Sequence, residues 1–452
     1  MENLTIDAKK FFYKRMVTVA FPVVIQNLIS IGLNMADTLM IGKLGEIELA
    51  AAGAANQIFN IFTTVLFGLF SGAAVFVAQY WGAKDIASIR KIIGFDIVIG
   101  LMLSMVFFVG IQFGAPQIIG IFAKDPEVIE YGCDYIRIVV FSYIVTAVSF
   151  TLSFNSRSIQ ILKAPTIISA VALVINVVLN YILIYGAGPM PMLGIKGAAY
   201  ATLIARICEL IMLIGYIYFS KGHPLHAHLS EIFRNDPRLY RHMLKLALPV
   251  VVSEGGWSIG MALVFAVYGK IGASALAVVQ VGTVTCQLFQ SLFFGLGNGS
   301  AVIIGETLGM GDKKMAYEHT KRILVIACIF NVLMVIFVLS VIKPVAQIYD
   351  FNKETTEMLI PTMTVFAFTM VPRMFTYVIQ CGILRAGGDT VFCMATEIFS
   401  NLFLELTLAY VSVMILHWPL YMCFALASIG NIFKTTVQYI RYRSKKWINI
   451  VI

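Results

Sequence analysis

The sequence predicts an all-α polytopic membrane protein with twelve transmembrane helices in two pseudo-symmetric six-helix bundles. Composition is the first reason: 59% of the 452 residues are hydrophobic and 13% are charged, whereas a soluble domain carries about 25% charged residues. The second reason is that the apolar residues form runs long enough to cross about 30 Å of hydrocarbon. The third is a sequence repeat that relates the two halves of the chain.

The apolar runs are separated by short polar connections, and each run predicts one membrane span. No signal-peptidase pattern precedes the first run, which is too long for the apolar part of a signal peptide, so we expect it to stay as a span. Pro22 and Pro249 indicate kinks in the first and seventh spans. The predicted spans cover residues 16–41, 48–80, 89–114, 128–155, 163–185, 194–219, 243–269, 273–307, 316–342, 355–384, 392–414 and 418–441.

Basic residues are distributed unevenly between the two sets of connections. The termini and the connections that follow even-numbered spans contain about 24 lysine and arginine residues. The connections that follow odd-numbered spans contain about six. Because short cytoplasmic loops are enriched in basic residues, this ratio predicts that both termini lie in the cytoplasm. Topology and contact with anionic lipid headgroups therefore explain the formal charge of +9 without a nucleic-acid partner.

The longest cytoplasmic connection divides the chain into a bundle at 1–219, a linker at 220–242 and a bundle at 243–452. His223, His226 and His228 lie in this linker. No cysteine or carboxylate stands at ligand spacing from them, so we interpret the segment as a solvated loop rather than a metal site. The seven cysteines show no C-x-x-C spacing, which predicts reduced thiols packed among the helices.

The two halves align without a gap when the chain is shifted by 227 positions. AFPVV at 20–24 then matches ALPVV at 247–251, and FGLFSGAAV at 67–75 matches FGLGNGSAV at 294–302. About 18 of about 66 positions from Ala20 to Asp85 are identical, which apolar composition alone does not explain. One extra residue aligns Arg157 with Arg385. Since each half has an even number of spans, the halves form a parallel repeat.

A pair of bundles related in this way is typical of alternating-access carriers with a central cleft, although channels and scaffolds are also built from repeats. Nothing in the chain resembles a catalytic centre or a Walker A motif. The segment GLGNGS at 295–300 lies within an apolar run rather than after a strand, so it does not indicate a phosphate site. We therefore expect a carrier, not an enzyme, that has no cofactor and uses an ion gradient.

Polar residues of the amino-terminal half group at one depth. A charged side chain inside a bilayer costs about 2.5–3.5 kcal/mol on insertion scales, so Asp37 in the first span is expected to face a cavity and to have a function. Asn180 and Thr202 lie at a similar depth, within about 6–12 Å of the outer surface, and Asn176 shares a helix face with Asn180. These four residues predict a proton or small-cation site. The alternative is a set of hydrogen bonds that only hold the bundle together.

The carboxyl-terminal half differs from the amino-terminal half in its carboxylates. Asp37 aligns with Val264, whereas Glu254, near mid-membrane in the seventh span, aligns with Asn27. We therefore add Glu254 to the predicted ion-coupling residues. The residues that we predict to line a substrate cavity are Gln26, Asn27, Asn34, Arg373 and Glu405.

Three further intramembrane charges have simpler interpretations. Arg206 and Glu209 are three residues apart in the sixth span and are expected to pair with each other. Glu397 begins only one or two turns beyond a cytoplasmic connection, which favours a hydrated residue at the helix end.

Six segments together resemble the multidrug and toxic compound extrusion (MATE) family of secondary transporters. They are FPVVIQNLISIGLNMADTLMIGKLG at 21–45, FGLFSGAAVFVAQYWGAKD at 67–85, NVVLNYILIYG with GIKGAAYAT, ALPVVVSEG, GILRAGGDT and KTTVQYIRYRSKKW. The resemblance covers essentially the whole chain. It implies a two-lobed exporter of organic cations in the cell membrane, coupled to the inward flow of protons or sodium.

The resemblance also implies site residues, with departures. The DinF-like branch uses an aspartate in helix one and polar residues of helices five and six, which fall on Asp37, Asn176, Asn180 and Thr202. Asn180 departs from this pattern, because its position is often an aspartate. The NorM-like branch uses a glutamate in helix seven and an aspartate in helix ten. Glu254 matches the first, but the second falls near Met374, where no carboxylate stands.

With Asn180 neutral, Asp37 supplies the single full negative charge of the predicted site. Its protonation alone then switches the site between charged and neutral, which favours proton coupling over sodium and lets a drug cation compete with a proton. We expect a monomer whose partners are membrane lipid and small organic cations. Export of a lipid-linked substrate, as in related two-bundle flippases, is the alternative function.

Overall fold

The computed structural model describes residues 2–123, 125–186, 191–220, 222–232, 236–348 and 353–452, which form helices and connections without any strand. We number the long helices α1 to α12 in chain order. The first six are α1 Glu2–Gly42, α2 Glu46–Gly82, α3 Ile86–Gly120, α4 Pro126–Ser158, α5 Lys163–Tyr185 and α6 Ile195–Phe219. The others are α7 Pro237–Gly269, α8 Ala273–Gly309, α9 Lys313–Ile348, α10 starting with Lys353–Tyr377, α11 starting with Thr390–Ile398, and α12 Leu420–Arg443.

The all-α membrane fold predicted from the sequence is confirmed. Over the described residues, eleven helices are long and apolar enough to cross a membrane. Helix α8 falls on the remaining predicted span, 273–307. The largest difference lies in α1, which begins at Glu2 rather than near residue 16.

Local sequence explains several helix ends. Asp85 precedes α3 and accepts a hydrogen bond from the backbone N–H of Ser88 at 3.1 Å, and Asp125 precedes α4 with Pro126 in its first turn. Such residues satisfy donors that a helix start leaves unpaired. Gly186 ends α5 with φ 73°, a left-handed conformation that glycine adopts without strain.

Three helices depart from regular α geometry. Helix α3 has non-helical backbone angles at Gly114, two residues before Pro116. Helix α10 continues as a π-helix over Val378–Leu384 and a 3₁₀ turn over Arg385–Gly387. Helix α11 widens into π-helix over Phe399–Glu405 and Val411–Ile415. Pro22 and Pro249 lie inside α1 and α7, where the expected kinks stay a prediction.

Contacts divide the chain into two compact units. Unit 1 contains Met1–Val24, Ala78–Ala83 and Leu244–Ile452, and unit 2 contains Ile25–Val77 and Lys84–Met243. The first part of α1 and the end of α2 group with the carboxyl-terminal helices in unit 1, and the bundles expected at 1–219 and 243–452 stay a prediction.

Glycines of α8 explain why the first part of α1 belongs to unit 1. Gly295 and Gly299 are four apart on one helix face, and a Cβ atom at either position would lie within 3.1 Å of Ala20. This small-residue spacing lets two helix backbones approach closely, as is common in membranes. The glycines of GLGNGS thus serve helix packing.

We expect Gly309→Ala to destabilise unit 1. A Cβ atom at Gly309 would collide with the backbone carbonyl of Gln79, which cannot move without shifting the end of α2. Overpacking of this kind costs about 1–3 kcal/mol, so the apparent melting temperature of the purified protein should fall. Gly53→Ala is the matched control, because a Cβ atom there meets nothing within 4 Å. Equal melting temperatures for the two variants would contradict this account of the packing.

The linker is tied to the start of α3 within unit 2. Lys91 Nζ lies 2.8 Å from Asp236 Oδ2, and Arg90 Nη1 lies 3.0 Å from Glu231 Oε2. The hydrogen bond from Lys91 holds the pKa of Asp236 below its usual value.

The linker histidines differ in how far they are buried. No group of metal-ligating side chains occurs among the described residues. The prediction of a solvated loop is wrong for His223, which is buried. Its burial, with a smaller effect from His226, lowers its pKa, and its Nδ1 accepts a hydrogen bond from the N–H of Leu225 at 3.2 Å.

Candidate functional site

Three of the predicted coupling residues form one hydrogen-bonded chain in unit 2. The Nδ2 atom of Asn180 donates to Asp37 Oδ1 at 2.5 Å and to Asn176 Oδ1 at 3.0 Å. Asn180 is fully buried and Asn176 nearly so, whereas Asp37 is partly accessible. The Oδ1 atom of Asn180 is buried and has no hydrogen-bond partner among the described residues. The cluster therefore holds one carboxylate and one unused acceptor.

Thr202, the fourth predicted residue, reaches the cluster through Tyr135 of α4. The Tyr135 side chain lies close to Thr202 and near enough to Asp37 for an electrostatic interaction. Arg206, one turn beyond Thr202 on α6, also interacts electrostatically with Asp37. Helices α1, α4, α5 and α6 thus all contribute to the surroundings of Asp37.

A cavity of about 160 Å³ adjoins this cluster and is lined entirely by residues of unit 2. Asn176 and Thr202 belong to its wall, so Asp37 is linked to the cavity through Asn180 and Asn176. The predicted cavity residues Gln26 and Asn27 line it as well. The side chains of the wall that carry charge are Arg157, Arg206 and Glu209.

The expected pairing of Arg206 with Glu209 is present. Arg206 Nη1 lies 2.8 Å from Glu209 Oε2, and the Ser169 hydroxyl donates to Glu209 Oε1 at 2.9 Å. Both oxygens of Glu209 are therefore occupied by partners from the protein, and the charge of Arg206 is balanced locally.

Glu254, predicted as a coupling residue, has a cationic partner in unit 1. Its Oε1 atom lies 2.7 Å from Nη1 of Arg385, whose side chain is only 2% exposed. Arg385 Nη2 also donates to the Ser253 hydroxyl at 3.3 Å. Because Oε1 is paired with a guanidinium, a proton or a cation that binds Glu254 competes with the positive charge of Arg385.

A second buried ion pair lies in the same unit. Lys434 Nζ is 2.8 Å from Glu397 Oε1, and Asn401 donates to the same oxygen at 2.6 Å. The interpretation of Glu397 as a hydrated end residue is wrong, because this residue is 3% exposed. In the same unit, the side-chain amide of Gln438 donates a hydrogen bond to Gln380 Oε1 at 2.6 Å.

The remaining predicted cavity residues are Asn34 of unit 2, which is not among the residues that line its cavity, and Arg373 and Glu405 of unit 1. Asn34 is exposed on α1, and its backbone carbonyl accepts from the Thr38 hydroxyl. Arg373 contacts the sulfur of Met261 at 2.7 Å and lies over the ring of Trp257. Glu405 is buried at the end of the first π-helical segment of α11. A substrate-cavity function for these three residues stays a prediction.

Several residues of unit 2 were not predicted from the sequence. Arg157 received a place in the repeat but no role, because it follows the end of the predicted span 128–155. Asp96 was overlooked within the third predicted span. It is 2% exposed and accepts a hydrogen bond from Asn155 Nδ2 at 3.1 Å. A single tyrosine in an apolar run gives no signal, so Tyr135 was not identifiable.

Comparison with known proteins covers almost the whole chain. A family model described as MatE matches residues 22–182 and 249–411. The uncharacterized transporter YisQ of Bacillus subtilis (strain 168) is 26% identical over 446 residues, covering 95% of this chain and 94% of YisQ. The probable multidrug resistance protein NorM of Thermotoga maritima is 21% identical over 436 residues, covering 96% and 93% of the two chains.

Solved structures show the same fold. A crystal structure of MATE in the bent conformation superposes with a TM-score of 0.88 at 19% sequence identity, covering 96% of this chain and 95% of that one. The outward-facing conformation of a multidrug resistance MATE family transporter of the MOP superfamily gives a TM-score of 0.85 at 19% identity, with 96% of each chain covered.

Proposed function

We propose that this chain, which belongs to the MatE family of transporters, exports small organic cations in exchange for protons by alternating access. The observation that carries the proposal is the chain of contacts from Asp37 through Asn180 to Asn176 in the cavity wall of unit 2. The relative from Thermotoga maritima is named a probable multidrug resistance protein, which supports an organic substrate. The protein is a transporter and not an enzyme.

Competition between a proton and an organic cation for Asp37 would couple the inward flux of protons to the export of the cation. The ionised carboxylate attracts a cation, and protonation removes that attraction, so a proton and a drug cation exclude each other. The unused Oδ1 of Asn180 supports this switch. A protonated Asp37 becomes a hydrogen-bond donor, and a half-turn of the Asn180 amide would present Oδ1 to accept that bond.

Proton coupling is favoured over sodium because one full negative charge is available in this cluster. The other oxygens come from the amides of Asn176 and Asn180 and from the Thr202 hydroxyl, which are neutral. Sodium needs several oxygens held at once, whereas a proton needs one carboxylate and one acceptor. The pairing of Glu254 with Arg385 gives a further reason to place coupling in unit 2.

We place the protein in the cell membrane with both termini in the cytoplasm. The excess of Lys and Arg in one set of connections supports this orientation. The proposed working unit is a monomer, with membrane lipid as its surroundings and no cofactor beyond the coupling ion.

Flux measured without sodium tests the choice of ion. We expect proteoliposomes that contain the purified protein to export a fluorescent organic cation under an imposed proton gradient, with sodium absent on both sides. The reason is that Asp37 can exchange a proton without any other ion. If export stops without sodium and returns with an inward sodium gradient at constant pH, the oxygen cluster is a sodium site and the proton assignment is wrong.

A further inference from the structure

The two units place an arginine in equivalent contacts. Arg157 and Arg385 occupy matching positions of the sequence repeat. Arg157 Nη2 donates to Gln26 Oε1 at 3.1 Å, and Arg385 Nη2 donates to Ser253 Oγ at 3.3 Å. Gln26 and Ser253 also correspond, since they are 227 residues apart. The repeat is therefore expressed in side-chain contacts as well as in sequence.

The next position of the repeat breaks this equivalence. In unit 1 the residue after Ser253 is Glu254, whose carboxylate pairs with Arg385. In unit 2 the residue after Gln26 is Asn27, which has a neutral amide. Asn27 and Arg157 both line the cavity of unit 2. The cavity of unit 2 thus lies beside Asn27, the position that corresponds to the carboxylate-bearing Glu254 of unit 1.

The α4 wall of the cavity is a row of hydrogen-bond donors. Thr146, Ser149, Ser153 and Arg157 recur at intervals of three or four residues, so they share one helix face, and all four line the cavity. The hydroxyl oxygens of Thr146 and Ser149 are buried and have no hydrogen-bond partner among the described residues. Buried hydroxyl groups are normally bonded, so two unused ones in a cavity wall point to a ligand.

We propose that this row binds an oxyanion of the transported compound, a carboxylate or a phosphate, in the place that corresponds to the carboxylate of Glu254. The guanidinium of Arg157 supplies the charge and a planar pair of donors, and the hydroxyls of Thr146 and Ser149 add neutral donors. We name this set the α4 oxyanion subsite.

The size of the cavity limits what enters it. A drug-sized ligand needs a pocket of about 300–1,000 Å³, whereas this cavity measures about 160 Å³. It therefore takes one group of a larger molecule rather than the whole molecule. The substrate class that fits is amphoteric, with a cationic part that reaches Asp37 and an oxyanion that occupies the α4 oxyanion subsite. This inference rests on the proposed transport function for its physiological meaning.

Binding of two matched dyes to the purified protein tests the subsite. Rhodamine 110 carries a free carboxylate, and rhodamine 123 is its methyl ester, so the two differ in one oxyanion. We expect Arg157→Gln to weaken binding of rhodamine 110 by about tenfold, the range for loss of a charged hydrogen bond. Binding of rhodamine 123 should change by less than about twofold. Arg137→Gln, at an exposed position of α4 outside the cavity wall, should leave both dyes unaffected.

A second variant keeps the test valid if Arg157→Gln fails to fold. Thr146→Val with Ser149→Ala removes the two unpartnered hydroxyls, so the protein should stay at least as stable while the preference for rhodamine 110 falls. Equal loss of both dyes, no loss of either, or no binding of rhodamine 110 by the wild type would overturn the proposal. Because binding is measured at equilibrium without a gradient, this result is independent of whether the protein exports by proton exchange.

Lipid composition distinguishes the two sources of an oxyanion. Dye binding is repeated in nanodiscs of phosphatidylcholine alone and with phosphatidylglycerol added. If phosphatidylglycerol displaces rhodamine 110 from the wild type but not from Arg157→Gln, the subsite takes the headgroup of a lipid with net negative charge, as the lipid-export alternative requires. If anionic lipid does not compete while the Arg157 effect persists, the subsite takes a soluble carboxylate.

Discussion

Asp37→Asn is expected to abolish gradient-driven export, by at least about a hundredfold, while the protein stays folded. Asparagine keeps the size of the side chain and can still contact Asn180, but it cannot change charge. No other carboxylate belongs to the hydrogen-bonded cluster of Asp37, Asn180 and Asn176, so no neighbour among them can take over its function. The measurement is proton-driven export of a fluorescent cation from proteoliposomes.

Thr38→Val is the matched control for Asp37→Asn. Thr38 is the next residue on α1, is exposed, and among the described residues its hydroxyl donates to the carbonyl of Asn34 in its own helix. Its loss should leave export near the wild-type rate. Wild-type export by a well-folded Asp37→Asn variant would remove Asp37 from the coupling site.

Arg385→Met is expected to cause a large loss of stability in unit 1. The substitution leaves the carboxylate of Glu254 without its cation in a mostly buried place, and breaking such a pair costs about 3–5 kcal/mol. The double variant Glu254→Gln with Arg385→Met should recover most of that loss, because no unpaired charge remains. Apparent melting temperatures of the purified variants in one detergent measure both effects.

An exposed ion pair provides the control for Arg385→Met. Lys321 Nζ lies 2.7 Å from Glu318 Oε1, and both side chains are about half exposed. Breaking a surface pair costs about 0–1 kcal/mol, so Lys321→Met should change the melting temperature little. If Arg385→Met is as stable as Lys321→Met, Glu254 does not depend on Arg385 and is again a free candidate for ion coupling.

The fold could be predicted because bilayer physics leaves few choices. Runs of apolar residues in a membrane must be helices, since every backbone group has to be bonded internally, and all twelve predicted spans fall on helices. The grouping of the first part of α1 with unit 1 could not be predicted. It depends on the close approach of Ala20 to Gly295 and Gly299, which is a tertiary contact between residues far apart in the chain.

The site was predictable where depth and helix periodicity were sufficient. Asn176 and Asn180 are one turn apart, and their common depth with Asp37 indicated the contact that the structure contains. The partner of Glu254 was not predictable, because Arg385 belongs to a different helix and reaches it only in the folded unit. The same is true of Lys434 and Glu397. Counting residues along a helix gives the distance of a residue from the membrane surface, but it does not show which neighbouring helix that residue faces.

Proton release on substrate binding tests the central claim most directly. Purified protein in a weakly buffered, sodium-free solution is mixed with a saturating organic cation, and the pH change is followed. If a cation and a proton compete for Asp37, binding should release up to about one proton per protein at a pH where Asp37 is protonated, and the Asp37→Asn variant should release none. Binding without proton release, or equal release by the Asp37→Asn variant, would contradict the account.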